Sequence, residues 1–132
     1  MKRHSHSYEE LAMIAKNYYN DSSMCTVIAL ALAAKIGFGK AYHAMRRAGR
    51  KHGYGTHMKC LDMQDEFGFK ATPFYDYQSR TVTTLVRELA SNKAYWVTVC
   101  GHVFHIENGE IQDWVQENSR RRVEQVWEIT RT

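Results

Sequence analysis

The sequence lacks the features that mark several special classes of protein. Its 132 residues include one proline and no run of eighteen apolar residues, which excludes the composition of a fibre, a disordered tail or a membrane span. Hydrophobic residues make up 44% and charged residues 24%, a balance typical of a globular chain. At this length folding buries roughly two-thirds of the unfolded surface, so no disulfide or metal is needed for a core. We expect one domain over residues 1–132.

Cysteine is scarce and odd in number. Cys25, Cys60 and Cys100 cannot all pair within one chain, and the first residues, MKRHSHSYEE, lack the apolar core of a secretory signal. We therefore expect free thiols, a reducing cytosol and no membrane association. The net charge of +4 is too small to indicate nucleic-acid binding by itself.

Helical signals fill the first part of the chain. Ser7 and Glu10 form a capping box ahead of a predicted helix over residues 8–17. The segment from Met24 to Ile36 is apolar on every side, so the helix that it predicts belongs in the middle of the fold. Further helices are predicted over residues 39–48, 58–67 and 82–91.

Strand signals dominate from Ala94 onward, in the segments AYWVTVC, HVFHIE, EIQDWV and RRVEQVWEIT. Residues 69–75 also read as extended, although Pro73 argues against a central strand. Because helices precede strands without βαβ alternation, the predicted fold class is α+β with an antiparallel sheet.

The dipeptide Asn108-Gly109 predicts a tight hairpin and fixes its register. In a two-residue type I′ turn Glu107 pairs with Glu110, which makes His102 and Asp113 diagonal neighbours on one face. That face also carries Phe104 and Ile106 and is the more apolar, so we expect it to pack on the helix that begins near Cys25. His105 and Trp114 fall on the other face.

These residues suit nucleophilic catalysis. A helix N-terminus favours thiolate over thiol at Cys25, and a carboxylate can fix the tautomer of an imidazole that takes a proton from a nucleophile. A structural interpretation is also open, in which Cys25 is a small core residue and His102 and Asp113 merely satisfy each other.

Two stretches, NDSSMCTVIALALAAKIGFGKAYHAMRRAGRKHGYGT and YWVTVCGHVFHIENGEIQDW, resemble papain-like cysteine peptidases in a reduced form. The resemblance is strongest to small phage and bacterial proteins of that fold and to peptidases that remove bacteriocin leaders. It covers residues 20–56 and 94–114, and its order is Cys at the start of a helix, Gly-His on a strand, and Asp after a tight turn.

The resemblance implies a papain-like fold, with a central N-terminal helix packed on a C-terminal antiparallel sheet, and a thiol-dependent hydrolase of the cytoplasm, the host's if a phage encodes it. Cys25 is then the nucleophile, His102 the general base and acid, and Asp113 the orienting carboxylate, acting on a peptide or amide through a thioester. The family carries Gln six residues before the nucleophile as an oxyanion donor. This chain has Tyr19 there, followed by Asn20, and these two offer a phenol and an amide.

Metal and cofactor sites are not expected. His102 and His105 point to opposite faces of one strand, which makes a poor ligand pair, and His57 with Cys60 has no matching second pair.

The densest basic cluster suggests another class of function. It comprises Arg46, Arg47, Arg50, Lys51 and His52, and we expect it to be a solvated face. The alternative function is a weakly active or inactive papain-like scaffold that binds a host protein or, less favoured, nucleic acid through this basic loop.

Overall fold

The computed structural model describes residues 6–20, 24–51, 58–77 and 80–132. The helices are α1 (Tyr8–Ile14), α2 (Cys25–Ala34), α3 (Phe38–Arg47), α4 (Gln64–Phe67) and α5 (Val82–Glu88). A π-helical turn, Ala15–Tyr19, continues α1, and a 3₁₀ turn, Lys59–Met63, leads into α4. The strands are β1 (Phe69–Phe74), β2 (Ala94–Val99), β3 (His102–Glu107), β4 (Glu110–Gln112) and β5 (Gln125–Arg131).

Helix α2, which begins at Cys25, lies in the core of the described fold, as its composition predicts. Every residue of α2 after Cys25 is buried, because the segment is apolar on all sides. The indole N–H of Trp96 on β2 donates to the carbonyl of Ala29, which ties α2 to the sheet. Helix α1 begins as predicted, with the Ser7 hydroxyl accepting from the Glu10 N–H.

The five strands form one antiparallel sheet in the order β1-β5-β2-β3-β4. The α+β class is therefore confirmed, and β1, the strand with Pro73, lies at an edge where a missing N–H is tolerated. The predicted hairpin register is also confirmed, with Glu107 opposite Glu110 and both turn residues at positive φ, 54° for Asn108 and 79° for Gly109.

Both faces of the sheet are covered by helices. Trp96, Val103 and Trp127 belong to the core shared with α1, α2 and α3, whereas Phe104 and Ile106 pack in a second core with α5. The prediction that the Phe104 face packs on the Cys25 helix was wrong. Helix α5 covers that face instead, whereas α2 packs on the opposite face of the sheet.

Several predicted strands are shorter than expected. The segment AYWVTVC ends at Val99, because Cys100 and Gly101 form a tight turn with φ of 47° and 76°. Cys100, which the strand pattern alone would place as a buried thiol, is therefore exposed in this turn. Strand β4 ends at Gln112, so Asp113 and Trp114 leave the strand instead of continuing its alternation.

Among the described residues no single helix is both long and apolar enough to cross a membrane.

Candidate active site

Cys25 is the first residue of α2, where backbone N–H groups have no acceptor within the helix. Ser22 and Ser23, the polar residues that the sequence offers as caps for this helix, lie outside the described residues. The Cys25 thiol is only partly buried, in contrast to the rest of α2. It therefore combines the start of a helix with access from the surface.

His102 is the first residue of β3, and at this end of the sheet its ring reaches the start of α2. The ring makes a side-chain hydrogen bond with the Cys25 sulfur. Its Nε2 lies 2.7 Å from Oδ2 of Asp113, which leaves Nδ1 for the sulfur. One imidazole thus connects the thiol to the carboxylate.

Asp113 is held in place by a second hydrogen bond. Its Oδ2 also accepts from the backbone N–H of Val115 at 3.1 Å, and the side chain is 5% exposed. Because β4 has already ended, this local turn, and not sheet pairing, directs the carboxylate toward His102.

The surroundings of the sulfur favour the thiolate. Burial is the largest influence and acts to raise the pKa of Cys25, but the hydrogen bonds from His102 and Val103, the charge of His102 and the N–H of Thr26 outweigh it and lower the pKa. Strand β4 pairs with β3 only as far as His105, so it does not engage the backbone of Val103.

The pKa of the His102 imidazole shifts in the opposite direction, upward. Burial acts to lower the pKa of His102, but the hydrogen bonds to Asp113 and Cys25 and their negative charges raise it to about 9. A lowered thiol pKa beside a raised imidazole pKa favours a thiolate–imidazolium pair at neutral pH.

The pair opens into a cleft of about 460 Å³, here called the first cleft. The described residues that line it are Tyr8, Ala12, Met24, Cys25, Ile28, Cys100, Gly101, His102, Asp113 and Trp114. Trp114 is half-exposed, and its ring centroid lies 4.8 Å from that of His102. Helix α1 contributes Tyr8 to the lining, a residue that the sequence interpretation missed.

Tyr8 brings a phenol into the first cleft. Burial, followed by the negative charges of Asp113 and Glu9, raises the pKa of this phenol, so it stays protonated and able to donate at neutral pH. No local sequence signal marks Tyr8, since it is the first residue of an ordinary amphipathic helix.

The two residues expected to serve as oxyanion donors lie elsewhere. Tyr19 packs against Phe38 and Tyr42, with ring centroids at 4.9 and 4.6 Å, and its hydroxyl lies 2.8 Å from where a Cβ on Gly39 would stand. Asn20 is exposed and left-handed, with φ of 49°. Neither is among the described residues that line the first cleft.

The remaining candidates form no metal site in the described part of the chain, where no group of three or more His, Cys, Asp or Glu side chains is arranged to hold an ion. His57 lies outside the described residues. Cys60 is fully buried, which raises the pKa of its thiol far above the ordinary value and makes it unreactive. His105 is buried on the face opposite His102 and bonds to Glu107 through Nε2 at 2.8 Å.

We expected the whole basic cluster to be solvated, but one of its residues is buried. Arg50 is 3% exposed, and its guanidinium lies 5.8 Å from the centroid of the Tyr42 ring. Arg47 is exposed and bonds to Glu66 at 2.7 Å. His52 and the glycine-rich segment after it lie outside the described residues.

Comparisons of the chain with protein-family models, with curated proteins and with solved structures each gave no match.

Proposed function

We propose that this protein is a papain-like, cysteine-dependent hydrolase that cleaves a peptide or related amide bond through a thioester. The observation that carries the proposal is a single imidazole, His102, hydrogen-bonded to the Cys25 sulfur on one side and to Asp113 on the other, at the edge of an open cleft. The chain order of helix-start Cys, strand His and post-turn Asp supports the papain-like assignment.

In the acylation half, the Cys25 thiolate attacks the carbonyl carbon and forms a tetrahedral oxyanion. Collapse of that intermediate breaks the C–N bond, and the His102 imidazolium donates its proton to the departing amine. The products are the free amine, a thioester on Cys25 and a neutral imidazole. Asp113 keeps Nε2–H in place throughout, so Nδ1 faces the reacting atoms.

In the deacylation half, neutral His102 accepts a proton from water as the water oxygen attacks the thioester carbon. The second tetrahedral intermediate expels the Cys25 thiolate and releases the carboxylic acid. The thiolate and the imidazolium are then restored, so the cycle closes without any other reagent.

Two donors are available for the oxyanion. The N–H of Cys25 lies in the first turn of α2 and has no acceptor within the helix. The Tyr8 phenol lines the same cleft and remains protonated. We assign Tyr8 the side-chain role for which Tyr19 and Asn20 were the sequence candidates, because neither of those lines the cleft.

Trp114 packs on the ring of His102, the residue that bonds to Asp113. Its ring lies against the imidazole, and the Arg121 guanidinium lies 5.2 Å from the indole centroid. An aromatic face beside an imidazolium stabilises the charged form and limits the access of water to the hydrogen bond.

Competitive alkylation with iodoacetamide at pH 7, read by peptide mass mapping, tests the proposal. We expect Cys25 to react at least about tenfold faster than the exposed Cys100, and His102→Ala to abolish the difference. A burst of p-nitrophenol from p-nitrophenyl acetate, with an acetyl group trapped on Cys25, would demonstrate the thioester. Equal rates at Cys25 and Cys100, unaffected by His102→Ala, would refute the enzyme and leave the binding scaffold as the interpretation.

A further inference from the structure

Cys25 lines two clefts. The second, of about 480 Å³, shares Cys25 and Gly101 with the first and is otherwise lined by different residues. A substrate that fills both clefts must continue past the scissile carbonyl in both directions. This arrangement fits an extended peptide better than a small terminal amide.

The second cleft combines an apolar surface with negative charge. Met58, Leu61 and Trp127 supply the apolar surface, and the carboxylates of Asp62 and Glu124 supply the charge. The Glu124 carboxylate is positioned by the Gly101 N–H, which donates to its Oε1 at 3.0 Å. Both residues are exposed, and within the described part of the chain neither forms an ion pair.

The first cleft has a different character. Its carboxylate, Asp113, is 5% exposed and already accepts hydrogen bonds from His102 and Val115. The rest of its described lining is apolar or neutral apart from His102, and includes Met24, Ile28 and Trp114. The two clefts therefore differ in charge, and of the two described linings only the second carries carboxylates that can meet a cation.

We infer, resting on the proposed function, that the substrate is a peptide that places a lysine or arginine side chain in the second cleft. The long aliphatic stem of such a residue packs on Leu61 and Trp127 while its cationic head meets Asp62 and Glu124. A leucine there would leave the two carboxylates without a partner, and a glutamate would be repelled by them.

Charged thiol reagents test this inference and require no identified substrate. The probes are 4-aminobutyl, butyl and 3-carboxypropyl methanethiosulfonate, which form a disulfide with the Cys25 thiolate and release methanesulfinate. Cys100→Ser is the background, because that exposed thiol lines the first cleft. We expect the ammonium reagent to modify Cys25 about fivefold faster than the butyl reagent and the carboxylate reagent to be slower than both.

A double variant with two isosteric substitutions tests whether Asp62 and Glu124 cause the preference for the ammonium reagent. Asp62→Asn with Glu124→Gln should reduce the ammonium-to-butyl rate ratio to below about twofold, and the amide that replaces the Glu124 carboxylate keeps a carbonyl that can accept from Gly101. Glu110→Gln is the matched control, because Glu110 lines neither cleft, and it should leave the ratio unchanged. A ratio near one in the parent chain, or one that the double variant leaves intact, would overturn the inference. The proposed function fails on a different result, the insensitivity of Cys25 alkylation to His102→Ala.

Discussion

His102 and Asp113 form a hydrogen bond of 2.7 Å although their strands have stopped pairing before either residue is reached. The last paired residues of that ladder are His105 and Gln112. Asp113 approaches the imidazole through its own turn, fixed by the N–H of Val115. The pair is therefore a specific side-chain interaction and not a by-product of sheet register.

Replacing Asp113 with Asn should weaken the reactivity of Cys25. The amide keeps the shape but removes the negative charge that raises the pKa of His102, so the imidazolium that stabilises the thiolate becomes less populated. Each unit by which the thiol pKa rises costs about tenfold in thiolate at pH 6. Iodoacetamide rates at pH 6 measure the effect. Asp65→Asn, an exposed acid on α4, is the control, and equal losses in both variants would contradict the role of Asp113.

The pH dependence of alkylation should separate from that of turnover. Because the pKa of Cys25 is lowered, iodoacetamide should react rapidly below pH 9 and slow only as the pH falls through the lowered value. Acylation by an amide also needs the imidazolium, which protonates the departing amine, so its rate should decline as the pH rises through about 9. Stopped-flow alkylation and acylation by a peptide p-nitroanilide across pH 5–10 measure the two profiles. An ordinary thiol profile for Cys25, rising only toward pH 9, would contradict the ion pair.

Replacing Tyr8 with Phe should slow acyl transfer and spare alkylation. Loss of one oxyanion donor typically costs about a hundredfold in turnover, whereas displacement of iodide develops no oxyanion. A peptide aldehyde, whose adduct with Cys25 carries an oxyanion, should bind more weakly by a similar factor.

Tyr19→Phe is the matched control for Tyr8→Phe, because Tyr19 packs on Phe38 and Tyr42 away from the first cleft. We expect it to leave aldehyde binding unchanged. The reverse result, with Tyr19 required and Tyr8 dispensable, would restore the candidate favoured by the resemblance.

Glu107 should make folding stability sensitive to acid. Burial acts to raise the pKa of this carboxyl, but hydrogen bonds from His105 and Arg131 lower it from 4.5 to about 2. Its stabilisation is therefore complete above pH 4.5 and is lost as the pH falls toward 2. The pKa shift corresponds to about 3 kcal/mol of unfolding free energy. Because the side chain is partly exposed, we expect a contribution of about 2 kcal/mol.

Urea unfolding of Glu107→Gln measures this contribution. The variant should lose about 2 kcal/mol at pH 7 and show a flatter stability profile between pH 4.5 and 2. Arg131 also donates to the carbonyls of Leu32 and Ala33, so the network anchors the end of α2 to the sheet. Glu110→Gln in the same hairpin serves as the control. An unchanged acid profile in Glu107→Gln would mean that the carboxyl is not coupled to folding.

The sequence predicted those parts of the structure that depend on local chemistry. Asn108-Gly109 has the backbone freedom that a type I′ turn requires, so the pairing of Glu107 with Glu110 followed from two residues. The apolar composition of residues 24–36 likewise determined a central helix beginning close to Cys25.

Features that depend on distant packing were missed. Tyr8 reaches the first cleft because α1 docks beside α2, and no periodicity encodes that contact. A glycine between two strand patterns, Gly101, could have predicted the turn at Cys100-Gly101. The strand was instead predicted to include Cys100, because the apolar segment before it continues to that residue. Arg50 was expected to be exposed with the rest of the basic cluster, but it is buried over the ring of Tyr42. The sequence of the cluster does not show which of its residues makes such a contact.

The separation of Cys25 from His102 along the chain has a consequence during synthesis. Cys25 is synthesised early, but His102 and Asp113, which lower the pKa of its thiol, follow only after some eighty further residues. A nascent chain therefore presents an ordinary, weakly reactive thiol at Cys25 until His102 and Asp113 have been made and have folded against it. Labelling of this one cysteine at mildly acidic pH would accordingly report the completion of folding in real time.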